Sequence, residues 1–196
     1  MRDPNKFEDV ESLINQSSYF KWLKHHESIP STNDLLMHQL KKKQVKEPGI
    51  ILADYQTEGK GRQNNQWEAP AGKDILLSMF IQPKVSIEHW AKITFPIGLA
   101  IRDCLLAYVP PQMNIQFKWP NDILINEQKC VGMLATVKKE INGVVFGIGL
   151  NVNQQSNDLS RTSLAAINHH EFNRWAVLGD LIKSLNRHIN QILTIS

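Results

Sequence analysis

Cysteine is nearly missing from this chain of 196 residues: only Cys104 and Cys130 occur, far apart and without metal-ligand spacing. Two isolated thiols speak against a disulfide-stapled secreted framework and against a zinc site, and they suit a reducing, cytoplasmic setting. An excess of one charge is also missing, since 22 basic residues stand against 19 acidic ones and leave a formal +3. The Lys41-Lys42-Lys43 run is too short to be a nucleic-acid arm. No apolar stretch approaches the ~18 residues of a membrane span, and no basic start leads into an apolar run, so neither an anchor nor a leader is expected. Histidine supplies no metal motif: His25-His26 and His169-His170 fall outside any H-E-x-x-H pattern and are expected in solvent. No Ser-His-Asp arrangement can be assembled. Neither Gly59-Lys60 nor Gly72-Lys73 is followed by Ser or Thr, which excludes a P-loop. Repeats and low-complexity segments are absent too. What is present is a hydrophobic fraction of 42%, enough for a substantial core in one domain.

Helical and strand patterns alternate along the chain. Ser31 follows Pro30 and is placed to cap a helix, with Asp34 three residues on as an acidic capping-box variant and Leu35, Leu36 and Leu40 as the apolar face. Residues 49–54 and 75–81 are short apolar runs that read as buried strands. Residues 87–108 have near-helical apolar spacing with Pro96 and Gly98 as sources of a kink, and they end before Pro110-Pro111. Strands are expected over 115–119, 123–125 and 129–137. The Asn142-Gly143 pair then reads as a hairpin turn into 144–150, and 172–193 closes the chain as an amphipathic helix that follows the last strand. Neighbouring hairpins predict an α+β class, a mixed, mostly antiparallel sheet packed by helices rather than a doubly wound parallel one.

Residues 55–73 form a long loop with no regular pattern, and a loop of that length in a small domain calls for a function or for disorder. Its Gly59-Lys60-Gly61-Arg62 core lets backbone amides and two cations close around an anion; a mobile basic turn is the plain alternative. Lys118-Trp119-Pro120-Asn121-Asp122 places a Lys, an amide and a carboxylate at one corner where a strand stops, a corner that can meet ATP and a metal. The plainer account buries Trp119, leaves Asn121 and Asp122 in a turn and solvates Lys118. Lys129 opens the next strand, and Gly132 within that strand marks close approach of a ligand or another backbone. Gly147-Ile148-Gly149-Leu150-Asn151 exposes main chain but lacks the third glycine of a dinucleotide fingerprint. Cys104 falls on a helical apolar stretch and is expected to be buried.

Taken in order, Ser31-Thr32-Asn33, Gln56-Thr57-Glu58-Gly59-Lys60-Gly61-Arg62 with Trp67, Lys118-Trp119-Pro120-Asn121-Asp122, Lys129 with Gly132, and Gly147 to Asn151 resemble the catalytic domain of biotin protein ligases, the holocarboxylase synthetases. The resemblance covers roughly residues 20 to 195. It implies the class II aminoacyl-tRNA synthetase/biotin protein ligase-like fold and an ATP-dependent biotin–[acetyl-CoA-carboxylase] ligase. Such an enzyme activates biotin to biotinyl-5'-AMP with Mg2+ and passes biotin to a lysine of a biotin carboxyl carrier domain. It further implies biotin contacts at Ser31, Thr32, Asn33, Gln56, Gly59, Lys60, Arg62, Lys129, Gly132, Gly147 and Gly149. Nucleotide contacts fall on Lys60, Arg62, Trp67, Lys118, Asn121 and Asn151, catalytic roles on Lys129, Arg62 and Lys118, and a metal on Asp122. The loop is expected to be mobile in the free protein and ordered over the adenylate, with Trp67 anchoring its far end.

Two positions depart from the common bacterial pattern: Lys60 stands where an arginine is usual, and Asn64 where a glycine is. Residues 1–196 are expected to be a single catalytic domain, with no winged helix ahead of Ser31 and no SH3-like domain after Ser196. No DNA partner and no membrane are expected, and a homodimer is compatible with the sequence. A lipoate ligase-like acyltransferase shares the implied fold and an equivalent lysine, but the loop and Lys118-to-Asp122 favour biotin. Against a non-catalytic biotin-binding derivative stands the retention of Arg62, Lys118, Asp122 and Lys129.

Overall fold

A computed structural model describes residues 4–83 and 93–194. Along the chain come α1 (Phe7–Asn15), β1 (Leu23–Ile29), α2 (Thr32–Lys41), β2 (Gly49–Gln56) and β3 (Ile75–Ile81). They are followed by α3 (Thr94–Leu105), β4 (Ile115–Lys118), β5 (Asp122–Ile125), β6 (Gln128–Lys138), β7 (Gly143–Leu150), α4 (Leu164–Asn168) and α5 (Arg174–Thr194). The strands make one sheet in the order β1-β2-β3-β7-β6-β5-β4. Every junction is antiparallel except β1 with β2, which is parallel. The sheet is thus the mixed, mostly antiparallel one that the hairpin signals predict.

Ser31 does cap α2, its Oγ accepting from Asp34 N at 3.3 Å. Asp34 does not close a capping box; its carboxylate reaches Lys60 Nζ at 2.6 Å instead. Pro96 lies in the first turn of α3, where its missing N–H has no helical acceptor to serve, so it starts the helix and leaves it unkinked. Residues 87–92 of the expected helix lie outside the described residues. The hairpin turn is wider than two residues: Lys138 pairs with Gly143, a short 3-10 turn spans Lys139–Ile141, and Asn142 takes the left-handed backbone at φ 47°. α1, β1 and α4 have no counterpart in the sequence expectations.

The two faces of the sheet are covered unequally. Ile50 and Leu52 of β2, Leu77, Met79 and Ile81 of β3, and Val144, Phe146, Ile148 and Leu150 of β7 point to one face, where they join buried residues of α1, α3 and α5 in the main core. Ile51, Phe80 and Val145 point the other way into a smaller cluster with Leu36, Met37 and Leu40 of α2. Period-two alternation assigns Ser78, Gly147 and Gly149 to this second face. α2 covers only part of it, and the rest is the floor of a cavity. At one end of the molecule Asp54 accepts from Arg174 and from His25, whose ring packs against Phe7 and Trp175. His25 is therefore a half-buried tie between α1, β1, β2 and α5, not the solvated residue its sequence context predicts. Trp119 departs the other way, being 65% exposed.

Candidate active site

A cavity of about 530 Å³ opens over the uncovered part of the sheet. The sequence brings four separate segments to it. Ser31, Thr32 and Asn33 enter with the first turn of α2, buried because α2 starts against the sheet. Thr32 N and Oγ1 both donate to Gln56 Oε1 (2.7 and 2.9 Å), and Thr32 Oγ1 bonds Ser78 Oγ at 2.8 Å. This network fixes one wall of neutral hydrogen-bonding groups. Beside it Asn33 Nδ2 is buried with no acceptor among the described residues. An orphaned donor at a cavity is a cost unless a ligand satisfies it. A Cβ on Gly147 would lie 3.5 Å from that nitrogen, an ordinary contact, so glycine there leaves open space over the strand.

The loop after β2 supplies the second segment. It folds back on itself through Gly61 N to Asn65 O (2.7 Å) and Trp67 N to Gly59 O (2.9 Å), with a 3-10 turn at Arg62–Asn64 whose left-handed residue is Gln63 at φ 54°. Gly59 is required by this closure, since a Cβ there would meet Trp67 O at 2.3 Å. Trp67 is buried, and its indole lies against β6 and β7: a Cβ on Gly132 or Gly149 would come within 2.4 or 2.3 Å of the ring. At Gly132 the close neighbour is thus the side chain of Trp67 rather than the ligand or backbone expected there, and the same ring covers Gly149.

Cations from the loop and from β6 line the same cavity. Lys60 is held by Asp34 (2.6 Å), Arg62 Nη1 donates to Asn121 Oδ1 (2.9 Å), and Lys129 Nζ pairs with Asp122 Oδ1 (2.8 Å) while standing 5.3 Å from the centre of the Trp67 ring. Asn121 Nδ2 also donates to Asp122 (2.9 Å). The corner between β4 and β5 therefore meets the loop through Arg62 and β6 through Lys129.

Of the residues singled out by sequence, Ser31, Thr32, Asn33, Gln56, Lys60, Arg62, Trp67, Asn121, Asp122, Lys129, Gly132, Gly147 and Gly149 all border this cavity. Gly59, Lys118 and Asn151 do not. Lys118 is exposed on β4. Asn151 is buried behind the site, where Nδ2 donates to Thr162 O (2.8 Å) and Lys129 O (3.3 Å), tying the chain after β7 to the start of β6. Two polar lining residues outside the loop and the motifs escape the sequence reading. Ser78 was visible as the one hydroxyl in the otherwise apolar Ile75–Ile81, whereas Arg161 belongs to no motif. Among the described residues no cluster of three or more His, Cys, Asp or Glu side chains could hold a metal, so Asp122 offers a single carboxylate. Cys130 is buried and hydrogen-bonds Asn151 O (3.6 Å), and burial pushes its thiol up. No helix among the described residues is long and apolar enough to cross a membrane.

The sheet, the α2 start and the cation-bearing loop define the site, and sequence similarity gives the family to which it belongs. A profile of the Biotin/lipoate A/B protein ligase family matches residues 26–153, and the chain belongs to that family. The bifunctional ligase/repressor BirA of Bacillus spizizenii is 29% identical over 178 residues, covering 86% of this chain and 54% of the relative. The biotin–[acetyl-CoA-carboxylase] ligase of Mycobacterium tuberculosis is 34% identical over 147 residues, 72% of this chain and 54% of the relative. The chain therefore spans about half the length of these curated relatives. The biotin protein ligase of Aquifex aeolicus in complex with biotin and ATP superposes with a TM-score of 0.76 at 26% identity, covering 90% of this chain and 74% of that one. The fold is thus the class II synthetase-like fold of biotin protein ligases.

Proposed function

We propose that the protein activates biotin with ATP to biotinyl-5'-AMP and transfers the biotinyl group to a lysine of a biotin carboxyl carrier domain. The observation that carries this reading is one cavity in which neutral donors and acceptors (Thr32, Asn33, Gln56, Ser78) share walls with Lys60, Arg62 and Lys129. The neutral groups suit a ureido ring, and the cations suit a carboxylate meeting a phosphate. In the first step a carboxylate oxygen attacks the α-phosphorus, the bond to the bridging oxygen breaks, and pyrophosphate leaves. Two anions must approach, and charge builds on the phosphoryl oxygens. Lys129 and Arg62 neutralise it from fixed positions, at no reorganisation cost during the reaction. In the second step the carrier amine attacks the acyl carbon and AMP leaves, the amine losing a proton.

Asp122 fits a Mg2+ that arrives with the nucleotide, because such an ion takes one or two carboxylates and completes its shell with phosphate oxygens and water. The ion would screen the phosphates. Lys129 reaches the same carboxylate, so Asp122 positions the lysine as well. The two free, buried thiols support a reducing, cytoplasmic compartment. The repressor activity of the bifunctional Bacillus relative stays with that relative.

Mass spectrometry after incubation with ATP, Mg2+ and either biotin or lipoate tests the reading. Biotinyl-AMP is expected; lipoyl-AMP in its place, or no adenylate, would overturn it. Lys129→Ala should lower adenylate formation about 100-fold, from the ~3 kcal/mol that one transition-state contact contributes, with an unchanged circular dichroism spectrum. Formation at the parent rate would remove Lys129 from the mechanism.

A further inference from the structure

Arg161 follows β7 in a segment that the main chain fastens to the start of β6. Lys129 N donates to Ser160 O (2.8 Å) and Thr162 N donates to Lys129 O (3.0 Å), so residue 161 bridges in parallel beside Lys129. Both side chains then meet one aromatic ring: the Arg161 guanidinium carbon lies 5.9 Å from the centre of Trp67, Lys129 Nζ 5.3 Å. Arg161 borders the cavity described above and also a neighbouring one of about 450 Å³, walled by Tyr55, Glu68, Pro70 and Gln154. It stands where the two join.

The other cations of these walls are engaged by protein acceptors at 2.6 to 2.9 Å: Lys60 by Asp34, Arg62 by Asn121, Lys129 by Asp122. Arg161 is not. Its side chain makes no hydrogen bond to the protein among the described residues, and its one ionic contact is 3.4 Å from Nε to Asp158. Asp158 already accepts from Ser160 N (2.9 Å) and Ser160 Oγ (2.7 Å), and these bonds, ahead of Arg161, hold its carboxyl below the usual range. A half-buried guanidinium thus stands beside an indole, with its terminal nitrogens unspent. Such a fork matches two phosphate oxygens at once.

On the reading that this cavity joins an acid to a nucleotide, we propose that Arg161 binds the phosphate chain of the nucleotide. It continues the cationic wall from Lys129, which serves the reacting carboxylate and α-phosphate, to the β- and γ-phosphates that depart as pyrophosphate. The acid is held elsewhere, by the α2 start and Gln56, so Arg161 acts on the nucleotide alone.

Calorimetric titration of the parent, Arg161→Ala and Arg161→Lys with ATP, adenosine, inorganic tripolyphosphate and biotin tests this. Arg161→Ala should weaken ATP and tripolyphosphate about tenfold or more, the size of one charge-assisted contact, and leave adenosine and biotin unchanged. Arg161→Lys should restore part of the loss. Adenosine weakened as much as ATP would mean that Arg161 stacks on the base, and unchanged tripolyphosphate affinity would mean that it touches no phosphate; either overturns the proposal. A parent that binds ATP but forms no biotinyl-AMP would sink the proposed function while leaving the Arg161 comparison readable.

Discussion

Asp74 shows how much a single residue can organise away from the reacting groups. It is fully buried ahead of β3, and its Oδ1 accepts from the amides of Val152 (2.8 Å), Asn153 (3.2 Å) and Gln154 (3.2 Å), while Oδ2 has no partner among the described residues. Burial pushes its carboxyl up to about 6 from 3.8, against the pull of those amides and of Arg174. Between these two values the folded state holds more protons than the unfolded one. This group's contribution to stability is therefore full below pH 3.8, falls as pH rises through the window, and is lowest above about 6. Asp74→Asn keeps the acceptor and removes the titration. Denaturant titrations from pH 4 to 7 should show the parent losing up to about 3 kcal/mol relative to the variant, and a difference that does not change with pH would disprove the assignment. No sequence pattern exposes such a residue, because a carboxylate between Lys73 and an apolar strand looks like a turn. Arg161 is hidden for a related reason: its neighbours Trp67 and Lys129 are adjacent only in space. Ser31, Thr32, Gln56 and Lys129, by contrast, are legible because each sits in one of the segments whose order along the chain carries the family resemblance.

At the level of elements, legibility follows burial. β2, β3, β7 and α2 carry apolar runs or faces that period and capping reveal. β1 does not, because as an edge strand it buries only Leu23 of its seven residues, and α4 is little more than one turn. The loop after β2 stands out in the sequence by its length and its Gly59-Lys60-Gly61-Arg62 core, yet its conformation does not, since Trp67 rests on glycines from two other strands. Adding a methyl group at Gly132 should push the indole away. Overpacking of this kind costs ~1 to 3 kcal/mol, so in Gly132→Ala the amides of Gly61 and Trp67 should exchange with solvent about tenfold faster or more. Exchange at the parent rate would show that Trp67 does not hold the loop.

For the molecule as a whole, the helical layer carries the stability. α1 packs on α5, where Pro4 fills the space over Gly179 and Ser17 Oγ donates to Asn186 Oδ1 at 2.7 Å. Val10 and Ile14 are buried beneath. Ile14→Ala should cost ~2 to 5 kcal/mol by the cavity it leaves, measured in urea, with biotin affinity unaltered in the protein that remains folded; an equal loss of affinity would show that the two faces of the sheet are coupled. Because Val144, Phe146, Ile148 and Leu150 belong to the core while Val145, Gly147 and Gly149 face α2 and the cavity, heritable change reaches two separate properties through alternate letters of one strand. A lineage can therefore change what the cavity admits by altering one set of codons while the other keeps the chain folded.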